Sequence, residues 1–401
     1  MVVRLDWVTH NVTTRRRVAL VFSHYGVYGG AEIWAAQTAE ALARRHEVVL
    51  RWCGPMDRGR FLALAGSDLP GVTIEPLRER VNVAGYHPRS WRAARTSGAV
   101  IADGADALIV ADLAIPPPSP VRDAMLYVHF PIGRRATVEG RSAKERAGRM
   151  LAHAASRETL RSYRVTANSA YTQRWIAERW KVRSGVLAPP RSAPLGTAHG
   201  GLVGKERLIV VVGRIDPAKR VEELAAAYRS AIAGTGSTVD HGWRLRFVGS
   251  ASSESERACA ARLAATPGVE VLVDASREQL LDSLKRASVL WHAKGLGVDE
   301  SLEPERLEHF GMGVVEAMAA GCVPIVHGRG GPAEIVRPGV DGAHFVGIDG
   351  DDGLIATTLR IIENPAALRS LGLAAMNRAA SYPADDAYAV AVESVLFARS
   401  R

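Results

Sequence analysis

The feature that most restricts this chain is a repeated order of short apolar run, glycine-bearing turn, amphipathic stretch and second apolar run. Residues 18–22 form an apolar run that reads as a buried strand. The turn Tyr25-Gly26-Val27-Tyr28-Gly29-Gly30 follows, then residues 31–45, where Ile33, Trp34, Thr38, Ala41 and Leu42 fall near helical spacing, before residues 47–52 resume as a strand. A helix joining two strands predicts parallel pairing with helices covering both faces of the sheet. Further strands are predicted at 107–111, 125–130, 164–167 and 185–187, alternating with helices at 142–160 and 170–180. Residues 189–201 then carry three prolines and three glycines without an apolar period, as a linker does. After them the alternation restarts, with strands expected at 208–212, 245–248, 269–273, 289–292, 323–326 and 343–346. The fold class expected is therefore α/β, with two Rossmann-like doubly wound domains facing across a cleft. The domains are 1–190 and 204–383, joined by a linker at 191–203.

Composition agrees with a packed two-domain chain and removes other classes. At 401 residues it is more than twice a typical domain of about 150. Its 47% apolar and 23% charged residues exclude disordered, collagenous and disulfide-stapled chains. Cys53, Cys259 and Cys322 are too scattered for a zinc site or a disulfide framework, which suits a reducing compartment. No window approaches the roughly 18 apolar residues of a spanning helix, and residues 1–10 lack an apolar signal core, so a cytoplasmic location is expected. The net charge of +9 is regional: residues 1–200 hold 29 basic and 16 acidic side chains, the remainder 22 and 26. The first half reads either as a surface that meets an anionic partner, such as a phosphorylated acceptor or the inner face of a membrane, or as a basic solvated surface. No nucleic-acid-binding module is recognisable, so nucleic acid is not expected as a partner.

Two stretches carry chemistry. In Glu308-His309-Phe310-Gly311-Met312-Gly313-Val314-Val315-Glu316 two carboxylates stand eight positions apart. A helix is expected to open at Met312 or Gly313 and to close at Gly321, placing Glu308 in the preceding loop and Glu316 in the first turn. Free N–H groups at such a helix start hold anions. In Val212-Gly213-Arg214-Ile215-Asp216-Pro217-Ala218-Lys219 two cations follow a strand, at the sheet edge where open α/β folds bind ligands. Arg214 and Lys219 suit a diphosphate, although singly such residues also occur as solvated charges. His129 follows a run of apolar residues and reads by itself as a core histidine; His24 and His309 are weaker candidates. Asp349-Gly350-Asp351 is expected to be a turn and helix N-cap rather than a metal site. Lys294 and Gly295, in the long polar run 291–306, border a ligand or belong to an inert loop.

Together the Gly-Arg-(four residues)-Lys pattern at 213–219, the Glu-(seven residues)-Glu pattern at 308 and 316, the turn Gly330-Gly331-Pro332-Ala333-Glu334 and the loop Gly29-Gly30-Ala31-Glu32 resemble retaining glycosyltransferase family 4. The stretches Tyr127-Val128-His129-Phe130-Pro131 and Glu308-His309-Phe310-Gly311 are similar to mannosyltransferases that extend lipid-linked oligosaccharides with α-1,2-mannose. The resemblance implies a B-type glycosyltransferase in which the second domain holds a nucleotide diphosphate sugar and the first an acceptor, with the last helix, 384–401, returning to the first domain. It also implies that Arg214 and Lys219 stabilise the leaving nucleoside diphosphate in place of a metal, with no cofactor required. Glu308 would meet donor-sugar hydroxyls and Glu316 the ribose. Phe310, Gly311 and Met312 would contact sugar or phosphate through their N–H groups. Gly29 and Gly30 would approach the phosphates, and His129 the reacting sugar or acceptor.

Retention in this family is explained by front-face attack, whereas a double displacement would need a carboxylate such as Asp112, which otherwise reads as a loop or capping residue. GDP-mannose is the favoured donor and a UDP-sugar the other; lipid-linked, glycan and small-molecule acceptors stay open. The competing expectations are a nucleotide-sugar epimerase or phosphorolytic enzyme of the same fold, and a non-catalytic two-lobed sugar-binding protein.

Overall fold

The structure is a computed structural model that describes residues 14–24, 26, 28–77, 98–112, 116–131, 159–192, 202, 204–231 and 242–398. Most of the expected helix 142–160 and of the expected linker 191–203 lies outside these residues. The chain divides into two compact units. One comprises Met1–Val27, Ala31–Pro190 and Ala384–Arg401, the other Tyr28–Gly30 and Arg191–Pro383.

The first unit is built on a seven-stranded sheet of order β3-β2-β1-β4-β5-β6-β7. Its strands are β1 (Arg17–Ser23), β2 (Glu47–Cys53), β3 (Val72–Pro76), β4 (Ala107–Asp112), β5 (Asp123–Val128), β6 (Arg164–Ala167) and β7 (Gly185–Val186), every neighbouring pair parallel. Val18, Ala19 and Leu20 of β1 and Leu108 and Ile109 of β4 are wholly buried, as runs covered on both faces must be. Burying each large aliphatic side chain there stabilises the fold by about 1.5–3 kcal/mol. β3 escaped the sequence reading because Val-Thr-Ile-Glu-Pro is an edge strand, half exposed, with no continuous apolar run.

The last helix, Asp385–Leu396, completes this unit. The indole of Trp34 donates to Tyr388 Oη at 2.7 Å and lies flat on the Tyr127 ring, centroids 4.0 Å apart. Glu393, nearly buried, takes Arg45 Nε at 2.5 Å and His46 Nε2 at 3.0 Å. A hydrogen-bonded carboxylate in that position fixes the helix against the turn between helix Gly30–Ala43 and β2.

The second unit has a six-stranded parallel sheet of order β10-β9-β8-β11-β12-β13. The strands are β8 (Glu206–Val212), β9 (Arg244–Gly249), β10 (Val269–Val273), β11 (Ala287–His292), β12 (Val323–His327) and β13 (Ala343–Phe345). Ile209, Leu245, Phe247, Val289, Trp291, Ile325 and Phe345 join one core. The chain runs outward from β8 to β10 and returns through β11 on the other side. The loops after β8 and β11 therefore part in opposite directions and leave a crevice at the carboxyl ends of the strands, the place where open parallel sheets bind ligands. Among the described residues no helix is long and apolar enough to cross a membrane.

Replacing Tyr388 with Phe leaves the buried Trp34 N–H without its acceptor and should cost about 1–3 kcal/mol. Chemical denaturation followed by tryptophan fluorescence reads this loss; an unchanged midpoint would show that the contact contributes nothing. A second expectation concerns acid. Burial, aided by Arg329 and His292, lowers the pKa of His327 to about 4, and among the described residues its Nδ1 meets no hydrogen-bond partner. Unfolded, it binds a proton near pH 6.5, so the unfolded state gains protons first and stability falls as pH drops from 6.5 towards 4. The contribution is about 3 kcal/mol, and His327→Gln should flatten the stability–pH slope over that window; an identical slope in the variant would refute the assignment.

Candidate active site

Within the second unit the crevice between the β8 and β11 loops is where charge collects. β8 ends at Val212; after Gly213, a turn stapled by Ile215 N–H to the Ser250 carbonyl leads to the 3-10 turn Pro217–Lys219. Asp216 caps that turn, its Oδ1 taking the Ala218 N–H at 2.8 Å. The cap aims Lys219 back over the sheet edge, where its Nζ stands 3.4 Å from Glu308 Oε2. From β11 come two more groups on the same oxygen, His292 Nε2 at 3.3 Å and Lys294 Nζ at 3.8 Å.

Burial by itself would raise the Glu308 pKa. Lys294, Lys219 and the His292 hydrogen bond outweigh it and hold the carboxyl well below the usual range, so it stays ionised. Burial lowers the His292 pKa against the pull of Glu308, and the ring is neutral near pH 7. Burial likewise lowers Lys294, with Lys219 and Arg214 adding repulsion against the attraction of Glu308. Three groups crowd Oε2, whereas none of these contacts falls on Oε1.

Two glycines fix the backbone around Glu308. Gly311 precedes helix Met312–Ala319 with φ 113°, a backbone state that a side chain would strain. Beneath it, the Gly331 N–H donates to the Glu308 carbonyl at 2.8 Å. A Cβ on Gly331 would lie 2.4 Å from the Phe310 Cα, so only glycine allows this approach. The Phe310 ring packs edge-on to Tyr382 at 5.9 Å.

One part of the expected arrangement differs. Glu316 is the fifth residue of helix Met312–Ala319, in its second turn rather than its first, because the helix opens at Met312. It is buried and engaged: Arg277 Nη1 donates to Oε1 at 2.7 Å, and the Ser192 hydroxyl bonds the same oxygen. Arg277 also holds the Ser192 carbonyl at 2.8 Å. Arg214 pairs with two nearby carboxylates, Asp216 and Glu256, the latter at 3.3 Å. Glu256 in turn forms the capping box of helix Glu254–Ala264 with Ser253. Lys219, Lys294 and Glu308 thus meet, while Arg214 and Glu316 have partners beside them.

Arg277 and His292 were not singled out from sequence. For Arg277 a signal existed: a cation at the first position of a helix, behind the capping box of Ser276 and Gln279, opposes the helix dipole and needs an acidic partner. His292 merely ends an apolar strand, and nothing local marks it. Asp349-Gly350-Asp351 forms a turn, Gly353 N–H to Gly350 carbonyl at 3.0 Å, but it caps no helix; Gly353 precedes helix Leu354–Ile362 without a side-chain cap.

Gly29 and Gly30 stand at the start of helix Gly30–Ala43, and in the first unit His24 Nδ1 bonds the buried Glu32 Oε1 at 2.9 Å. His129 follows β5, edge-on to Tyr127 and Trp34, with centroids 5.3 and 5.5 Å away. Among the described residues its Nε2 has no hydrogen-bond partner, and burial lowers its pKa to about 4. Its carbonyl accepts from Asn168 Nδ2 at 3.0 Å, so its place is set by the backbone. Asp112 ends β4, and its side chain lies outside the described residues.

Residues 198–378 match the family model described as Glycosyl transferases group 1. Over 190 residues the chain is 27% identical to the Mus musculus GDP-Man:Man(3)GlcNAc(2)-PP-Dol alpha-1,2-mannosyltransferase, covering 43% of this chain and 36% of that protein. Over 145 residues it is 32% identical to the Neurospora crassa protein of the same name, covering 34% and 24%. The matches therefore span between about a quarter and a little over a third of these relatives' length. Among solved structures, sucrose-phosphate synthase from Thermosynechococcus elongatus superposes with a TM-score of 0.63 at 17% identity, over 94% of this chain and 97% of that one. Anabaena HepE in complex with UDP-glucose gives 0.61 at 15% identity, over 95% and 100%. Most of the second unit thus matches the glycosyl transferases group 1 model, and the chain has the two-Rossmann fold of B-type glycosyltransferases.

Proposed function

We propose that the protein is a retaining hexosyltransferase whose second unit takes a nucleotide diphosphate sugar at the carboxyl ends of β8 and β11. The observation that carries this reading is the meeting of Lys219 and Lys294 on one oxygen of the partly buried Glu308, at the switch point of the sheet. Two ammonium groups against one carboxylate leave a local excess of positive charge beside a neutral His292, which an anionic ligand would balance. A diphosphate bridging the lysines does so, and its negative charge grows as the glycosidic bond breaks, so the same contacts strengthen in the transition state. Arg214 would add to them by exchanging one of its carboxylate partners for phosphate. No metal is invoked in this role.

Glu308 Oε1 is the oxygen left to accept a sugar hydroxyl, and its permanent charge favours the oxocarbenium character that develops at the anomeric carbon. Glu316 Oε2 is left in the same way, beside the Arg277 contact, for a ribose hydroxyl. The N–H groups at the start of helix Met312–Ala319 would hold phosphate or sugar oxygens. In front-face attack the departing phosphate oxygen takes the proton of the acceptor hydroxyl on the face the leaving group vacates. The configuration is retained without a side-chain nucleophile.

The names of the similar relatives favour GDP-mannose as donor, and the UDP-glucose bound by Anabaena HepE supports a UDP-sugar as the other candidate. The same relatives, together with the basic first half, favour a lipid-linked or otherwise anionic acceptor.

Titration with GDP and UDP by calorimetry should give saturable binding of one of them, weakened about 10- to 100-fold by Lys219→Ala, the scale of a charged hydrogen bond. Binding of neither would end the proposal. Glu308→Gln should keep nucleotide affinity within a few-fold yet slow both transfer and acceptor-free hydrolysis of the donor by at least about 100-fold. Turnover at the wild-type rate in that variant would remove Glu308 from the chemistry.

A further inference from the structure

Arg220, next to Lys219 in sequence, occupies a backbone state that glycine adopts at no cost: its φ is 59° and its ψ 32°. It closes the turn Pro217–Lys219, donating its N–H to the Pro217 carbonyl at 2.9 Å, and its own carbonyl accepts Leu224 N–H at 2.9 Å in helix Val221–Ala231. A strained L-residue at such a place calls for a reason in its side chain.

The guanidinium supplies one. Nε and Nη2 both donate to the Leu296 carbonyl, at 3.0 and 2.7 Å, while Nη1 meets Glu223 Oε1 at 3.0 Å. Leu296 joins two successive turns after β11. Its N–H closes the first onto the Ala293 carbonyl at 3.0 Å, and Val298 N–H closes the second onto Gly295 at 3.1 Å. Gly295 and Gly297, with φ 93° and 73°, take the third position of each turn. A Cβ on Gly297 would sit 3.3 Å from Arg220 Nη2, so a side chain there would crowd the guanidinium. Lys294 is the second residue of the first turn. The fork on Leu296 therefore ties the turn bearing Lys294 to the turn bearing Lys219.

We propose that Arg220 is a positioning residue that sets the spacing of Lys219 and Lys294, and thereby prepares the site for the diphosphate of its ligand. The proposal rests on the nucleotide-sugar reading above. The two ammonium groups repel, and one of them rides on the first of two linked turns, each with glycine at its third position. Without the fork, ordering that turn becomes part of the cost of binding. The effect should fall on ligands long enough to bridge both lysines and spare those that carry a single phosphate.

The test compares GDP with GMP, and UDP with UMP, on wild-type protein, Arg220→Gly and Arg220→Lys, with the melting temperature of each ligand-free protein. Arg220→Gly relieves the backbone and should melt at or above the wild-type temperature. It should bind the preferred nucleoside diphosphate about tenfold more weakly and the matching monophosphate less than twofold more weakly. Arg220→Lys, which keeps the charge but offers one donor group in place of the fork, should fall between; it carries the same comparison if the glycine variant does not fold. Wild-type diphosphate affinity in the variants overturns the proposal. So does an equal loss for mono- and diphosphate that tracks a lower melting temperature, because a merely structural role predicts that. Wild-type protein that binds neither GDP nor UDP defeats the nucleotide-sugar reading itself, whereas wild-type binding with unaffected variants defeats only the role of Arg220.

Discussion

A carboxylate kept ionised inside a protein needs countercharge within a few ångströms, and in the second unit Glu308 sets that requirement for everything around it. The glycines at 311 and 331 bring its backbone to the sheet edge, the loops after β8 and β11 deliver Lys219, His292 and Lys294 to one of its oxygens, and the cap at Asp216 turns Lys219 inward. Removing any of these would leave charge that burial penalises. The cluster is thus a constraint on the fold as much as a device for chemistry.

The same logic separates the two acids of the motif. Glu308 is shared among ammonium groups on long side chains and a neutral ring, an arrangement that can rearrange around an anion. Glu316 is clamped by a guanidinium and a hydroxyl on one oxygen, which fixes the carboxylate. Arg214 resembles Glu316 in this respect: its charge is already matched by Asp216 and Glu256, so its use by a phosphate would be an exchange of partners. One motif pair therefore contains one responsive acid and one held acid, and one responsive cation and one held cation.

Much of the architecture was legible in the chain. Runs such as Leu208 to Val212 or Val289 to His292 are apolar on both faces, and only a strand buried within a covered parallel sheet tolerates that. Punctuation by glycine placed the turns, and Gly321, with φ 83°, ends its helix as its position suggests. The strand Val72–Pro76 was illegible because an edge needs no continuous apolar run. Lys219 and Glu308 stand out through motif spacing, and Arg277 could have been noticed as a cation on the wrong end of a helix. His292 could not, since its burial and its carboxylate partner come from residues 16 positions or more away along the chain.

What the amino-acid sequence determined by itself was local: periodicity set strand and helix, glycine and proline set the turns, and the placing of acids and cations at strand ends marked where chemistry would lie. Tertiary structure decided which of those charges meet. An ion pair is a matter of a few ångströms, and that distance follows from sheet order, which puts β11 beside β8 and so sets Lys294 next to Lys219, although 75 residues separate them along the chain. No reading of neighbours along the chain contains that adjacency, because it arises only when the strands have paired.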